Sequence, residues 1–473
     1  MKLDVSPLLE TLPTARWFGG KGRPLKQVEI VDTGVIEDGP PALVLTIVRV
    51  SFGDEGPDQL YHLPLIVEDG AARDALEDLD RLGVLGDLMA HGTSIKGADG
   101  VFQFGGPGLD PLSPPGAEST RALGSEQSNS SLVLDDQIVL KLFRKVEVGP
   151  NPDLELNRHL TSEGFQHVPL HVAEIIYEGE MGGEEISIDL AIAQQLVPNS
   201  VEGWTLVTQH LREFYDEVDE RDAREDMRFL TEERAKETLL HIDRLGEVTA
   251  LLHIALTRFE GDVDLAPEPI ERFDLEAWAE RARRSLVDLV KGPAPELKAS
   301  AGQINDRINQ LRTVEDAGMK LRIHGDYHLG QAINSTRGWM ILDLEGEPAR
   351  SLEERRQKQS ALRDVAGLLR SLNYAAMSVM FERSQPGEDA WNRLAPWAEI
   401  WESVARERFL AAYLSRSHEG RFLPSDRETL MTMLDVFEID KALYELGYEH
   451  SHRPDWILIP LQGISQVLER EGR

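Results

Sequence analysis

Two neighbouring segments of this sequence, residues 324–331 and 339–345, hold polar side chains in an order that phosphoryl transfer requires. Asp326 is followed five residues later by Gln331, and Asp343 stands at the end of an apolar run. In phosphotransferases one Asp meets the acceptor hydroxyl, while an amide and a second Asp hold magnesium. The order therefore predicts a magnesium-dependent kinase that transfers a phosphoryl group from ATP to a small molecule.

The three polar residues have separate expected roles. Asp326 is expected to orient the attacking hydroxyl and to accept its proton late in the transfer. Gln331 and Asp343 are expected to be the metal ligands, because Mg²⁺ prefers a few protein oxygens together with water and phosphate. His324 is expected to hold the loop by hydrogen bonding. The competing interpretation is a solvated loop with two unrelated acids, since a His-Gly-Asp triplet by itself is a weak signal.

Lys141 interrupts the apolar strand pattern of residues 138–143. Strand alternation puts it on the same face as Val139 and Phe143. A lysine on such a face needs an anionic partner, and nucleotide phosphates are the functional candidate. The alternative is a lysine at a sheet edge whose ammonium reaches water. Glu155, on the helix that follows, is the expected ion-pair partner of Lys141, against the alternative of an ordinary surface glutamate.

A polar loop, residues 125–131, precedes the Lys141 strand. Its hydroxyls and amides are suited to cover phosphates, so Ser128, Asn129 and Ser130 are candidate nucleotide-binding residues. The loop has neither the G-x-G-x-x-G pattern nor the G-x-x-x-x-G-K-[ST] pattern. An ordinary polar hairpin turn is therefore the alternative.

Two later helical segments carry carboxylates, amides and aromatic rings that would suit a sugar. Sugar hydroxyls need polar partners, and the faces of sugar rings stack on aromatic side chains. Residues spaced by four and then three positions share one helical face. For any one of these residues, a surface salt bridge or a core tyrosine is the competing interpretation. The side chains are Asp364, Asn373 and Tyr374 on the first helix and Lys441, Glu445 and Tyr448 on the second.

The composition restricts the classes of partner. The chain of 473 residues has 83 acidic and 50 basic residues, a net charge of −33. This balance argues against binding to nucleic acid or to an anionic membrane, since both need basic patches. The absence of cysteine excludes disulfides and thiolate chemistry. No apolar run approaches the length of a membrane helix. We expect a cytoplasmic protein, a monomer or weak oligomer, that acts on a small molecule.

The pattern along the chain predicts three regions, at residues 1–110, 111–200 and 201–473. The first region has strand patterns at 27–35 and 42–52, a helical pattern at 71–85 and a closing loop rich in Gly and Pro at 105–116. The second is β-rich, and its one helix begins at Asn151 and Pro152, a capping residue followed by proline. It resembles the small lobe of a kinase. Its predicted strands cover residues 131–134, 138–143, 173–177 and 186–195.

The third region is mainly helical, because apolar residues recur there with a spacing of 3.6. The segment with Asp326 and Asp343 is expected to form a short strand pair between these helices. The highly charged residues 221–237 are interpreted as a solvated helical excursion. The predicted helices cover residues 239–256, 275–290, 361–380, 391–414 and 427–448.

Several segments together resemble the maltokinase family. The resemblance extends over nearly the whole chain, and the joint occurrence of the segments is specific. An early segment at 16–23 is similar to the amino-terminal cap of that family. The other matching segments are residues 126–131, 151–155, 324–331, 343–348, 444–446 and 453–456.

This resemblance implies an α+β, bilobal, protein-kinase-like fold of the aminoglycoside phosphotransferase type. It would comprise an N-terminal cap domain (1–110), a small β-rich nucleotide-binding lobe (111–200) and a helical lobe with the catalytic loop and sugar site (201–473). The implied activity is ATP-dependent phosphorylation of maltose at its anomeric hydroxyl, giving maltose 1-phosphate for glycogen or α-glucan synthesis. The family pattern implies sugar contacts near Tyr374, Glu445, Tyr448 and Arg453.

Three positions depart from the family pattern. Tyr327 and Leu344 replace residues that are commonly Leu and Phe, and Asn373 stands where an acid is expected. The last difference leaves room for an alternative acceptor, because related kinases with the same cap act on glucosamine. A kinase for glucosamine, another sugar or an aminoglycoside is therefore the alternative. A catalytically silent kinase-like protein is disfavoured, since Lys141 and the residues predicted to act in catalysis are all present.

Overall fold

The computed structural model describes residues 3–106, 119–124, 128–219, 226–259 and 263–470. The chain forms two compact units. The first unit comprises Met1–Pro198 and the later segment Pro348–Arg355, and the second comprises Asn199–Glu347 and Arg356–Arg473.

The first unit is built mainly from antiparallel strands. The helices described before Pro198 are α1 (Leu8–Thr11), α2 (Val84–Ala90) and α3 (Pro152–Ser162). Short 3₁₀ turns connect several of these elements. The strands are β1 (Leu25–Glu37), β2 (Ala42–Phe52), β3 (Gln59–Glu68), β4 (Ala71–Asp74), β5 (Ser94–Lys96), β6 (Gly100–Gly105), β7 (Thr120–Ala122), β8 (Asn129–Leu134), β9 (Ile138–Phe143), β10 (Lys145–Val146), β11 (His171–Met181) and β12 (Glu184–Gln195).

These strands form two sheets. The five-stranded sheet has the order β1-β2-β3-β10, with β4 paired to β3, and the seven-stranded sheet has the order β5-β6-β11-β12-β9-β8-β7. Strand β2 is apolar on both faces, and its alternate residues therefore enter two different cores. Leu43, Leu45 and Ile47 pack with side chains of the seven-stranded sheet. Val44 and Val48 pack on the opposite side with α1 and its neighbours.

The strands predicted in the first two regions are present, but the helix predicted at residues 71–85 is wrong. Residues 71–74 instead form β4, which pairs with β3, and two 3₁₀ turns follow before α2 begins. Pairing with β3 overrides the local helical pattern, and the side chain of Asp74 caps the first turn by accepting from Leu76 N. The expected Gly- and Pro-rich boundary at 105–116 lies almost wholly outside the described residues.

Two strands within the region expected to form the cap belong to the seven-stranded sheet. Strand β5 pairs with β6, and β6 pairs along β11 from Gly100 to Gly105. The three-part division of the chain stays a prediction. The position of these strands nevertheless joins residues 94–105 to the sheet that carries Lys141.

The second unit is mainly helical and contains two small three-stranded sheets, β13-β16-β17 and β14-β15-β18. The strands are β13 (Val201–Glu202), β14 (Glu268–Pro269), β15 (Met319–Leu321), β16 (Ala332–Ser335), β17 (Gly338–Ile341) and β18 (Gln359–Ser360). The helices are α4 (Gly203–Val218), α5 (Met227–Arg234), α6 (Lys236–Leu256), α7 (Arg272–Lys291), α8 (Ala301–Asn309), α10 (Leu362–Arg383), α11 (Asp389–Ser417), α12 (Arg427–His452) and α13 (Leu458–Glu469), while α9 (Leu352–Arg355) lies in the segment that belongs to the first unit.

The long helices predicted from apolar spacing are confirmed. Helix α10 forms the centre of the second unit, since almost every residue from Asp364 to Met380 is buried. It packs against α4, α11, α12 and α13, while α6 packs along α11. The charged segment predicted to be helical is α5 together with the start of α6, and its residues 221–225 lie outside the described residues. None of the described helices is both long and apolar enough to cross a membrane.

Candidate active site

Lys141 lies on β9, in the interior of the seven-stranded sheet. It pairs directly with Ser131 of β8, and Asn129 pairs with Phe143 two positions along. Directly paired residues in an antiparallel sheet share a face, so these four side chains lie on one face. Lys141 is only 7% exposed. This exposure and the central strand argue against the alternative of a lysine at a sheet edge.

The buried Lys141 ammonium has a carboxylate partner on α3. Its Nζ lies 2.9 Å from Asp153 Oδ2. Asn151 caps the start of α3 by accepting from Asp153 N at 2.9 Å, which places Asp153 in the first turn. Asn157 Nδ2 donates to Asp153 Oδ1 at 2.8 Å. Asp153 is thus held in place by its own helix. The pairing of Lys141 with Glu155 stays a prediction.

The residues expected to cover phosphates divide between the two faces of β8. Asn129 shares the face of Lys141, whereas Ser130 pairs with Leu142 and lies on the other face. The hydroxyl of Ser130 accepts from Arg144 Nε at 2.9 Å. Strand alternation thus turns Ser130 away from Lys141, and its role in nucleotide binding stays a prediction. The Ser128 hydroxyl accepts from Asn129 Nδ2 at 3.3 Å, and residues 125–127 of the expected loop lie outside the described residues.

Asp326, in the second unit, forms an ion pair with Lys441 of α12. Lys441 Nζ lies 3.0 Å from Asp326 Oδ1, and His328 Nε2 lies 4.0 Å from Asp326 Oδ2. Burial by itself would raise the pKa of Asp326, but the charge and hydrogen bond of Lys441, together with His328 and His324, outweigh it and hold the pKa below its usual value. Asp326 is therefore ionised at neutral pH, as a group that orients a hydroxyl and accepts its proton must be.

His324 is buried and links the Asp326 loop to the segment that follows β17. Its Nε2 donates to the backbone oxygen of Leu342 at 2.9 Å, and its Nδ1 accepts from Asp326 N at 3.4 Å. The two segments approach closely, since a Cβ added to Gly325 would lie 3.2 Å from Gly346 Cα. Gly325 also has a φ of +83°, which favours glycine. These contacts agree with the expected loop-holding role of His324.

Asp364, expected from the sequence to face the acceptor, is instead the anchor of the Asp326 loop. Its two carboxylate oxygens accept from His324 N at 2.8 Å and from Gly325 N at 2.9 Å. Oδ2 also contacts His253 Nε2 at 3.1 Å, and Asp364 is only 2% exposed. Burial would raise the pKa of Asp364, but His253 and the backbone donors outweigh it and lower the pKa. A buried carboxylate with three partners is placed to fix a loop.

Gln331 and Asp343, the two predicted metal ligands, lie in contact. Gln331 Nε2 donates to Asp343 Oδ2 at 2.9 Å, and Leu342 N donates to the backbone oxygen of Gln331 at 2.9 Å. Asp343 was expected on a strand, but it lies two residues beyond β17 with a φ of +60°. Strain of this kind in a non-glycine residue is concentrated at functional sites.

The donor set at Gln331 and Asp343 fits magnesium. Amide and carboxylate oxygens are hard ligands, and Mg²⁺ usually takes one or two protein carboxylates plus water and substrate phosphates. Within the ranges that the structure describes, no group of three or more His, Cys, Asp or Glu is arranged to hold a metal on its own.

Two of the expected sugar contacts, Tyr374 and Arg453, meet at Glu449, which the sequence analysis missed. Tyr374 OH donates to Glu449 Oε1 at 3.2 Å, and Arg453 makes two hydrogen bonds to the Glu449 carboxylate at 2.7 and 2.9 Å. The Arg453 guanidinium lies 4.5 Å from the centre of the Trp456 ring. The i,i+4 spacing of Glu449 and Arg453 on a helix was the signal that could have indicated this pair.

The other two expected sugar contacts, Glu445 and Tyr448, have partners of their own. Glu445 is turned towards α10, where its Oε2 accepts from Arg370 Nε at 2.9 Å. Burial raises the pKa of Glu445 in spite of this arginine. Tyr448 is 41% exposed and its ring stacks on His452 at 4.3 Å between ring centres. The structure therefore brings the four expected residues near one another. The Arg453 guanidinium lies 5.7 Å from the centre of the Tyr448 ring, and Arg370, the partner of Glu445, lies 5.6 Å from the centre of the Tyr374 ring.

The amino-terminal part of the chain matches a known family. Residues 12–94 match the family model described as the maltokinase N-terminal cap domain. This match confirms the resemblance that the segment at 16–23 indicated. It begins just after α1, covers strands β1–β4 and helix α2, and ends as β5 begins.

The whole chain is similar to proteins named glucosamine kinase. One, from Mycolicibacterium smegmatis, is 23% identical over 82% of this chain and 96% of its own length. Another, from Streptacidiphilus jiangxiensis, is 26% identical over 74% of this chain and 73% of its own length. A solved structure of glucosamine kinase in complex with glucosamine, ADP and inorganic phosphate has a TM-score of 0.69, 20% identity, and coverage of 99% of this chain and 100% of that chain.

These similarities establish the fold. The protein has an α+β, bilobal, protein-kinase-like fold of the aminoglycoside phosphotransferase type, with an N-terminal cap domain. The fold class predicted from the sequence is confirmed.

Proposed function

We propose that this protein is an ATP-dependent sugar kinase whose acceptor is glucosamine. The observation that carries the kinase assignment is the second-unit cluster, in which an ionised Asp326 is fixed by His324 and Lys441. Gln331 and Asp343 lie in mutual contact a few residues further along the chain. The similarity to proteins named glucosamine kinase, over 82% and 74% of this chain, supports the choice of acceptor.

In the proposed reaction Asp326 accepts a hydrogen bond from the sugar hydroxyl and aims its oxygen at the γ-phosphorus of ATP. The new bond joins the hydroxyl oxygen to that phosphorus, and the bond from phosphorus to the β–γ bridging oxygen breaks. ADP leaves with the electron pair, and the hydroxyl proton passes to the Asp326 carboxylate. Because the transition state is loose, the protein contributes mainly positioning and neutralisation of charge.

Gln331 and Asp343 would hold magnesium through their side-chain oxygens. The ion, when bound with ATP, neutralises charge on the phosphates. The task of the protein here is to keep these two side chains in place. The His324–Leu342 hydrogen bond serves that task, because it ties the Asp326 loop to the residue immediately before Asp343.

Lys141 is proposed to bind nucleotide phosphates, and Asp153 to hold the lysine in position. The ammonium is buried on a strand face that also carries Asn129 and Ser131. A protein with a net charge of −33 must gather positive charge locally to bind a polyanion. A buried lysine that is oriented by a carboxylate meets that need.

The surroundings of Asp326 favour an acceptor that carries a positive charge. Lys441 is influenced by Asp326, Glu445 and Glu347, which together raise its pKa although burial would lower it. Three carboxylates therefore act on one ammonium. An amino sugar would bring a second positive charge to this cluster, whereas a neutral sugar would not.

Maltose is the second candidate acceptor, and one observation favours it. The cap match carries the name of maltokinase, and the resemblance implies transfer to the anomeric hydroxyl of maltose. The two candidates differ in size and charge. Maltose has two rings and no amine, so it would rely on the polar and aromatic side chains near Tyr374 and Arg453.

The acceptor is tested by measuring ADP release with ATP and magnesium. The acceptors are glucosamine, N-acetylglucosamine, glucose, maltose and an aminoglycoside. N-acetylglucosamine is the matched control, because acetylation removes the ammonium charge and keeps the ring. We expect turnover of glucosamine to exceed that of the other acceptors. Turnover of maltose alone would replace the first candidate with the second, and phosphorus NMR of the product would identify the esterified hydroxyl.

The role of Asp326 is tested by Asp326→Asn, which keeps the shape of the side chain. We expect kcat to fall by about 10²-fold to 10⁴-fold, the usual contribution of a positioned proton acceptor. ATP affinity should stay close to that of the wild type. Near wild-type turnover in this variant would contradict the assignment. Exposed Asp389, at the start of α11, provides the matched Asp389→Asn control.

The three-part organisation is also proposed here. The cap domain would occupy residues 1–110, the nucleotide-binding lobe residues 111–200 and the helical lobe residues 201–473. Strands β5 and β6 would be the part of the first range that pairs into the sheet of the nucleotide-binding lobe. The cap match at 12–94 falls within the first range. The switch from antiparallel sheet to helices at Pro198 and Asn199 supports the second boundary.

A further inference from the structure

Lys441 on α12 is the positively charged side chain that contacts the proposed catalytic carboxylate. Its Nζ lies 3.0 Å from Asp326 Oδ1, and the two side chains are 27% and 20% exposed. The two residues are 115 positions apart in the sequence. Their contact is therefore a product of the tertiary fold.

A lysine with only a structural role at this position could form an ion pair within its own helix. Glu445 lies one helical turn further along the same face of α12, at the spacing that favours an ion pair. Glu445 instead accepts from Arg370 Nε at 2.9 Å. The ring of Tyr444 packs beside the ammonium, with 5.1 Å from Nζ to the ring centre. These neighbours leave Lys441 directed at Asp326.

The position of Lys441 relative to the reacting atoms follows from the role of Asp326. A hydroxyl that is hydrogen-bonded to Asp326 lies about 3 Å from one of its oxygens. The ammonium is 3.0 Å from Oδ1. The attacking oxygen is then less than about 8 Å from a fixed positive charge.

We propose that Lys441 is the positioning residue of the phosphoryl-transfer step, holding the Asp326 carboxylate ionised and in one orientation until it takes the proton of the acceptor. This inference rests on the proposed function and deepens it, by naming a residue outside the two segments that carry the catalytic motifs. Lys441 acts through Asp326 in this proposal, so its effect belongs to the chemical step and not to nucleotide binding.

The experiment compares Lys441→Met with Lys441→Arg in the full chain. Methionine keeps the length of the stem and removes the charge, whereas arginine keeps the charge. We expect Lys441→Met to lower kcat by about 10²-fold with an ATP KM within about twofold of wild type. The kcat of Lys441→Arg should be at least about tenfold higher than that of Lys441→Met. Lys298→Met, at an exposed site in a 3₁₀ turn, is the matched control and should leave kcat unchanged.

A double-mutant cycle separates action through Asp326 from a general structural effect. In an Asp326→Asn background, Lys441→Met should lower kcat by less than about threefold, because the group on which it acts is already lost. A full additional loss of about 10²-fold in that background would overturn the proposal, as would a raised ATP KM with unchanged kcat. Thermal unfolding of each variant identifies any loss of kcat that comes from misfolding. If Lys441→Met misfolds, the kcat of Lys441→Arg tests the proposal instead.

Failure of this inference and failure of the proposed function give different results. A wild-type protein without magnesium-dependent ATP turnover on any sugar would overturn the proposed function and this inference together. A wild-type protein that phosphorylates a sugar, with Lys441→Met equally active, would overturn this inference alone.

Discussion

The imidazole of His324 donates from Nε2 to the backbone oxygen of Leu342 at 2.9 Å. The same ring accepts from Asp326 N through Nδ1. One side chain thus connects the residue that would meet the acceptor with the residue that immediately precedes Asp343. The Asp364 carboxylate, which comes later in the sequence, also holds this loop, because it accepts from His324 N and Gly325 N.

Replacement of His324 should disturb catalysis more than folding. His324→Leu removes both hydrogen bonds of the ring, and a misplacement of about 1 Å at a reacting group costs about 10²-fold in rate. We expect kcat to fall by about that factor, with partial recovery in His324→Gln, whose amide can still donate to Leu342. Steady-state kinetics measures both variants. His418→Leu is the control on the exposed end of α11, and an unchanged kcat in His324→Leu would refute the linking role.

The partner of Lys141 can be decided between Asp153 and Glu155. The structure shows Lys141 bonded to Asp153, so Asp153→Asn should release the ammonium and raise the ATP KM by about tenfold. Glu155→Gln, two residues along the same helix, is the matched comparison and should raise the ATP KM by less. The ATP KM of both variants is measured at saturating sugar. If Glu155→Gln has the larger effect, the hypothesis drawn from the sequence is right and Asp153 is secondary.

Asp343 is expected to control the magnesium requirement. Asp343→Asn keeps an oxygen ligand and tolerates the left-handed backbone, since Asn adopts positive φ more readily than most residues. We expect the magnesium concentration for half-maximal activity to rise by about tenfold or more. A magnesium titration at fixed ATP measures this change. Asp69 has a similar φ of +51° at an exposed position, so Asp69→Asn is the matched control for the backbone effect.

Asp189 gives the first unit a pH-dependent stability. Burial raises the pKa of Asp189 to about 6, although Asn151 N donates to its Oδ2 at 2.7 Å. The pKa of Asp189 is higher in the folded state than in the unfolded state, so the folded state binds more protons. The free energy of unfolding therefore falls as the pH rises from about 4 through about 6. Asp189→Asn keeps an acceptor for Asn151 and removes the charge.

We expect Asp189→Asn to raise the melting temperature more at pH 8 than at pH 4.5. The difference between the two pH values should correspond to about 2–3 kcal/mol at most. Thermal unfolding at both pH values, compared with the wild type, measures it. An equal shift at both pH values would show that Asp189 carries no raised pKa.

The local structure around the candidate site was predictable from the sequence, because it depends on short-range patterns. The alternation of residues 138–143 gave the limits of β9, and Asn151 followed by Pro152 gave the start of α3. The helix predicted at 71–85 failed because pairing of β4 with β3, a contact outside the window, decides that segment. Strand alternation alone could also have placed Ser130 on the face away from Lys141.

The partners of the polar side chains were not predictable, because they come from distant parts of the chain. Asp364 contacts His324 across 40 positions, and nothing in the helical pattern around it indicated a loop anchor. The ion pair of Lys441 with Asp326 joins residues 115 positions apart. The sequence showed which residue types were available, and only the tertiary structure shows which oxygen each nitrogen meets.

Strand β6 pairs along β11, and residues 94–105 therefore belong to the sheet that carries Lys141. A shortened gene that starts after residue 110 would delete β5 and β6 and leave the backbone groups of β11 bare along one side. Open strand edges of this kind recruit other chains and cause aggregation. A shortened enzyme for crystallisation or engineering should therefore begin before Ser94, where the deletion spares every strand of that sheet.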